Sequence, residues 1–128
     1  MPQKILVVDD SKTIRVIVAR VLKECDCQVL EAGNGEEGLA LAARETPDLL
    51  IIDAAMPEMD GATMCARLRE DAALAEIPIV MLIAEAKRGT SDEITLPGVR
   101  ECLVKPFRNA NLIETIARII PIGVKVTA

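Results

Sequence analysis

Histidine, tryptophan and tyrosine are absent from these 128 residues, and Phe107 is the single aromatic side chain. Without histidine there is no Ser-His-Asp or Cys-His nucleophilic apparatus and no imidazole to ligate a metal, so any chemistry must come from carboxylates, lysine or thiols. Without a row of rings there is no platform on which nucleic-acid bases could stack. The charge agrees, since 15 Lys plus Arg against 20 Asp plus Glu leave a formal net charge of -5, the wrong sign for tracking phosphate backbones. No C-x-x-C pair occurs among Cys25, Cys27, Cys65 and Cys102. They read as reduced, structural thiols, and a soft-metal or redox site lacks a second pair to complete it. No apolar run approaches the roughly 18 residues that span a membrane. The short run at residues 5–8 is broken by Asp9 and Asp10, and the start does not read as a signal peptide. The expectation is a cytoplasmic protein with neither nucleic acid nor membrane as a direct partner.

What is present suits one packed domain. About half of the residues (51%) are hydrophobic and 27% are charged, too apolar for disorder and ordinary for a globular chain. Short aliphatic runs at residues 5–8, 28–32, 49–52, 79–83 and 101–104 alternate with amphipathic stretches, the rhythm of βα units around a parallel sheet. The second and fifth runs carry polar residues and read as edges. Ile14, Ile17, Val18, Val21 and Leu22 form one helical face, and Gly61, Met64, Cys65 and Leu68 another. A helix over residues 35–45 has Asn34 as N-cap with Glu37 three positions on, and a last helix near residues 109–120 faces inward with Leu112, Ile113, Ile116 and Ile120. A fourth helix, before it, is expected to be short or irregular, because Gly89, Thr90 and Ser91 delay it and Pro97 and Gly98 end it. Residues 121–128 form a tail in which Ile122, Val124 and Val126 alternate with Gly123, Lys125 and Thr127, suited to an added strand, to a docking peptide or to a frayed end.

Functional groups in open α/β sheets collect beyond the carboxyl ends of the strands. Asp9 and Asp10 follow the first run, Asp53 ends the third and Lys105 ends the fifth. Right-handed connections let strands one and three lie side by side, which brings Asp10 within reach of Asp53. Like charges about 4 Å apart repel by about 1 kcal/mol in water and about 4 kcal/mol at an effective dielectric near 20. A hard divalent cation on oxygen ligands relieves that repulsion, and Lys105 adds a positive charge for Asp53 or for a phosphoryl oxygen. The set suits an acyl-phosphate site with one carboxylate as nucleophile. Taken alone, Asp9 or Asp10 reads as a cap or turn residue and Lys105 as a solvated edge residue. Asp53 does not, because a carboxylate at the end of a buried strand is expensive without a partner.

These residues carry a resemblance to the response-regulator receiver family over residues 3–120. V-V-D-D-S at residues 7–11 is similar to the family's acidic pair, L-I-I-D at residues 50–53 to its phosphoacceptor strand, M-P-E-M-D-G at residues 56–61 to the loop after it, and K-P-F at residues 105–107 to its Lys-Pro segment. The resemblance implies a doubly wound, five-stranded parallel sheet in the order 2-1-3-4-5, flanked by five helices in the flavodoxin-like manner of CheY. It implies a receiver domain over residues 1–120, followed by the tail at residues 121–128. Asp53 would accept a phosphoryl group from a sensor histidine kinase or phosphotransfer protein. Lys105 would assist, and Mg2+ or Mn2+ would sit on Asp10, Asp53 and the backbone carbonyl of Ala55, with Asp9 as a further ligand or outer support. The family is not enzymatic beyond its own phosphorylation and dephosphorylation, and it reports to a downstream protein through the surface of the fourth helix, fifth strand and fifth helix.

Two positions depart from the family pattern. A hydroxyl residue usually ends the fourth strand, where this sequence has Ile83, and an aromatic residue usually stands where it has Cys102. A hydrogen bond to a charged group contributes about 1.5 to 3 kcal/mol, so Ile83 removes much of the bias between two receiver conformations. A phosphorylation-independent interaction module is therefore the second expectation. A haloacid-dehalogenase-like hydrolase is disfavoured, because Ala55 stands where a second acid is needed. A flavin site is disfavoured because Asp9 and Asp10 would repel the cofactor phosphate.

Overall fold

The computed structural model describes residues 2–84 and 96–123. Five parallel strands, β1 (Lys4–Val8), β2 (Gln28–Ala32), β3 (Leu49–Asp53), β4 (Ile79–Ala84) and β5 (Val99–Lys105), form one sheet in the order β2-β1-β3-β4-β5. The two polar strands are the edges, as their composition requires. Every residue of β3 is buried, consistent with a central strand covered on both faces.

Alternation along the strands divides the core. Ile5, Val7, Leu49, Ile51, Val80 and Leu82 face one layer, with α1 (Lys12–Lys23) and α4 (Asn109–Ala117) packed on them through Val18, Leu22, Leu112 and Ile116. Leu6, Val8, Leu50, Ile52, Met81 and Ile83 face the other, against α2 (Gly35–Glu45) and α3 (Gly61–Arg69). The period of two sends neighbouring residues to opposite layers, so helices are needed on both sides. Side-chain caps fix three helix starts: Ser11 Oγ accepts from Ile14 N at 3.3 Å, Asn34 Oδ1 from Glu37 N at 2.8 Å and Asp60 Oδ1 from Thr63 N at 2.8 Å. The Asp60 carboxyl is held below its ordinary range by that bond from Thr63.

Four helices lie among the described residues, and the expected short fourth of five falls largely on residues 85–95, outside those described. Several expectations are corrected. β5 starts at Val99, two residues before residue 101, because Gly98 at φ +86 turns the chain and accepts from Ile79 N at 2.9 Å. The extra residue is taken up by a bulge that pairs Ile79 with Val99 and Val80 with Glu101. Ile17 is 38% exposed rather than inward, because it lies about 100° around α1 from Val18, at the margin of the buried stripe. The last helix ends at Ala117; Ile113 packs half-buried against the core as expected, and Thr115 is buried as well, its hydroxyl satisfied by Asn111 O at 2.7 Å. Cys25, Cys27 and Cys65 are buried, and burial pushes the thiols of Cys27 and Cys65 up to about 11, which keeps both unreactive. The tail beyond residue 123 lies outside the described residues, and Gly123 N donates to Cys25 O at 3.1 Å. No helix among the described residues is long and apolar enough to cross a membrane.

Candidate functional site

The site forms where three strands release polar residues at one edge of the sheet. β1 and β3 are neighbours with Val8 opposite Ile52, so Asp9 and Asp53 emerge side by side. β5 lies beyond β4, with Lys105 opposite Ala84, and its long side chain crosses the end of β4 to reach both acids. Lys105 Nζ is 3.1 Å from Asp9 Oδ2 and 3.3 Å from Asp53 Oδ1. The Lys105-Pro106 peptide bond is cis.

Asp9 is completely buried, yet its amide, its carbonyl and both carboxylate oxygens have partners. Its amide donates to Ala32 O at 3.1 Å, and its carbonyl accepts from Arg15 Nη1 at 2.7 Å. Oδ1 accepts from Ser11 N at 2.9 Å, while Oδ2 faces Lys105. Asp53 is only 5% exposed, and Ala55 N donates to its Oδ1 at 3.3 Å. Asp10 is exposed, and a carboxylate oxygen of it lies close to those of Asp9 and Asp53.

The charges explain the titration of the site. Burial, then the adjacent Asp9 carboxylate, push the Asp53 carboxyl up to about 6, against the opposing pull of Lys105 and the Ala55 amide. Burial pulls the Lys105 ammonium down, but Asp53 and Asp9 outweigh it and hold its pKa above the ordinary lysine value. One ammonium therefore serves two buried acids, with a third acid beside them.

One carboxylate oxygen from each of Asp9, Asp10 and Asp53 can be chosen so that all lie within 4.8 Å of one another. An all-oxygen donor set with surplus negative charge, open to solvent on the Asp10 side, fits a hard divalent cation that keeps part of its water shell. The expected residues are thus brought together: Asp9, Asp10, Asp53 and Lys105 form one cluster, with Ala55 bonded to Asp53 through its amide.

Residues 5–117 match the response regulator receiver domain model. The chain belongs to the response regulator receiver family. This receiver is 34% identical over 120 residues to Protein PilG of Pseudomonas aeruginosa, a match that covers 92% of this chain and 87% of PilG. It superposes on the chemotaxis response regulator CheY4 of Vibrio cholerae with a TM-score of 0.87 and 33% identity, covering 94% of this chain and 100% of that one. It is also similar, at a TM-score of 0.82 and 25% identity, to the receiver domain of a sensor histidine kinase of Pseudomonas aeruginosa, covering 92% of this chain and 97% of that one. That domain has a magnesium ion coordinated in its active-site cleft. Several other curated relatives are much longer: the receiver spans from 7% to 50% of their length.

The two departures are buried or half-buried in this receiver. Ile83 is 7% exposed in β4, opposite Val104, and Cys102 is half-buried in β5, opposite Met81. One residue of the site was not singled out from the sequence, and another was placed on a helix face without its contact with β3. Arg15 bonds the Asp9 carbonyl, and a cation in the first turn of a helix, set against the helix dipole, was the available signal. Gly61 lies against the end of β3, where a Cβ would stand 2.9 Å from Asp53 O. Sequence spacing carries no trace of that approach.

Proposed function

We propose that the receiver is a phosphoacceptor of two-component signalling, not an enzyme with turnover on an external substrate, and that Asp53 is the residue modified. The observation that carries this is the Asp9–Lys105–Asp53 arrangement, in which a buried carboxylate is kept ionisable by one shared ammonium. Mg2+ or Mn2+ would be held by Asp10, Asp53 and the Ala55 carbonyl, with Asp9 as a further ligand or as the anchor of Lys105. When bound, the cation supplies positive charge to the phosphoryl oxygens.

Asp53 Oδ1 is engaged by Lys105 and the Ala55 amide, and Oδ2 takes neither contact. A carboxylate oxygen attacks phosphorus, the new oxygen–phosphorus bond forms, and the nitrogen–phosphorus bond of a donor phosphohistidine breaks, its electron pair returning to the imidazole. Lys105 then faces the added charge. The donor would be a sensor histidine kinase or phosphotransfer protein. The recipient of the signal would be a downstream protein on the surface that includes β5 and α4. The reducing cytoplasm is the proposed setting.

Incubation with Mg2+ and acetyl phosphate, followed by intact mass spectrometry, tests the reading. A single phosphoryl adduct that disappears in Asp53→Ala is expected. No adduct, or one that survives the substitution, would falsify it.

A second reading, a phosphorylation-independent interaction module, is favoured by one observation: Ile83 is packed in the core where the family places a hydroxyl. Under it, Asp53→Asn leaves partner binding and cellular output unchanged.

A further inference from the structure

Arg15 occupies a position that its own helix disfavours. It stands in the first turn of α1, where unpaired backbone amides attract acids and repel cations. Its side chain is nevertheless only 18% exposed, and its guanidinium is forked between two acceptors. Nη1 donates to Asp9 O at 2.7 Å, and Nε donates to Glu31 Oε1 at 3.3 Å.

The Asp9 carbonyl belongs to the peptide that joins Asp9 to Asp10. With Asp9 N tied to Ala32 O at 3.1 Å and Asp9 O tied to Arg15, the backbone is held on both sides of Asp9. Asp10 is exposed, so the plane of that peptide governs where its carboxylate is presented. Glu31 meets the guanidinium on its other edge and offsets its charge.

We propose that Arg15 is a positioning residue for the cation site: it fixes the Asp9–Asp10 peptide and so presents the Asp10 carboxylate toward Asp53. The proposal rests on the metal reading given above. Without the guanidinium, water satisfies the Asp9 carbonyl, the peptide is able to rotate, and Asp10 must be ordered anew at each binding event. Mg2+ demands near-ideal octahedral geometry, whereas Ca2+ accepts irregular shells, so a loosened turn costs Mg2+ more.

A purely electrostatic role predicts the opposite sign. Removing a cation beside a divalent-ion site would tighten binding. Arg15→Gln combined with Glu31→Gln conserves net charge and therefore isolates positioning from charge.

The test measures Mg2+ and Ca2+ dissociation constants from amide chemical shifts near Asp10 and Asp53, with thermal unfolding alongside. The double variant should bind Mg2+ about tenfold more weakly while Ca2+ weakens less, and Arg15→Lys, which keeps one donor, should recover part of the loss. Unchanged or tighter Mg2+ binding in the double variant, or equal weakening of both ions, overturns the proposal. If the double variant does not fold, the Mg2+ to Ca2+ ratio of Arg15→Lys decides: a ratio equal to that of the unaltered receiver overturns it. An unaltered receiver that shows no Mg2+-dependent shifts removes the metal reading and this proposal together. Normal binding there with an unaffected double variant removes this proposal alone.

Discussion

Lys105 Nζ lies 3.1 Å from Oδ2 of Asp9, a carboxylate with no solvent exposure. That contact makes the lysine a structural counter-ion as well as a candidate catalytic group. Removing one partner of a buried ion pair costs about 3 to 5 kcal/mol, because the other charge is left uncompensated. Lys105→Met should therefore lower stability by about 3 kcal/mol in urea unfolding. Adding Asp9→Asn should return part of that loss, as a double-mutant cycle would show. Mg2+ should raise the melting temperature of Lys105→Met more than that of the unaltered receiver, since a cation on the same acids replaces the missing charge.

Asp53 gives the pH dependence its sign. Its folded pKa of about 6 lies above the ordinary aspartate value of 3.8, so between those values the folded state binds more proton than the unfolded state. Stability from this group is fully present below the lower value and is lost as pH rises through the upper one. Asp53→Asn should leave stability at pH 4 nearly unchanged. At pH 7.5 it should raise stability by about 1 to 2 kcal/mol, less than the full shift implies because water reaches the pocket beside Asp10. Mg2+ must displace the same proton, so its affinity should tighten between pH 5 and pH 7, an interval set by the folded pKa of about 6. Urea melts and metal titrations across pH check both statements, and a stability gain at pH 4 equal to that at pH 7.5 would contradict the assignment.

Ile83 isolates the cost of the missing hydroxyl. Its side chain is packed in the core layer with Met81 and Leu50, so Ile83→Thr loses apolar burial and should destabilise the unmodified receiver by about 1 to 2 kcal/mol. The same substitution supplies a donor at the end of β4. After treatment with acetyl phosphate, amide shift changes along β4 and β5 should be larger in Ile83→Thr than in the unaltered receiver. Identical shift patterns in the two proteins would mean that the hydroxyl has no part in reporting the state of Asp53.

Periodicity made most of this architecture legible, because local pattern and tertiary role coincide there. Aliphatic runs became the central strands, polar runs became the edges, and Asn34 capped α2 as its spacing with Glu37 suggested. Asp9, Asp10, Asp53 and Lys105 converged because chain order and right-handed crossovers leave few other arrangements. What stayed hidden depends on three-dimensional distance. Lys105 was expected to serve Asp53 and also anchors Asp9, a contact that needs the side chain to pass over β4. The exposure of Ile17 depends on how far the buried stripe of α1 extends around the helix, and the β4–β5 bulge on a single glycine turn at Gly98.

Gly61 and Gly33 provide a contrasting pair of substitutions, one against the end of β3 and one against Arg15. A Cβ at Gly61 would lie 2.8 Å from Met81 Sδ, 2.9 Å from Ala54 Cα and 2.9 Å from Asp53 O. Met81 has rotatable bonds and is able to yield, but the other two atoms are backbone at the end of β3, beside the Asp53 carboxylate. Gly61→Ala must therefore move α3 away from β3 or displace Asp53 itself. Forced overpacking of this kind costs about 1 to 3 kcal/mol, offset by less than 1 kcal/mol from the better helix propensity of alanine, so a net loss of about 1 to 2 kcal/mol is expected. Mg2+ affinity should fall with it, since Asp53 no longer meets Asp10 at the same separation. A Cβ at Gly33 would meet only the Arg15 guanidinium, Nη1 at 3.5 Å and Cζ at 4.0 Å, ordinary contacts, and no positive φ stands in its way. Gly33→Ala should leave metal affinity unchanged and stability equal or slightly higher, by about 0.5 kcal/mol. Thermal melts and amide titrations of the two variants side by side check the contrast, and equal effects at both positions would show that the close approach of α3 to Asp53 does not set the geometry of the site.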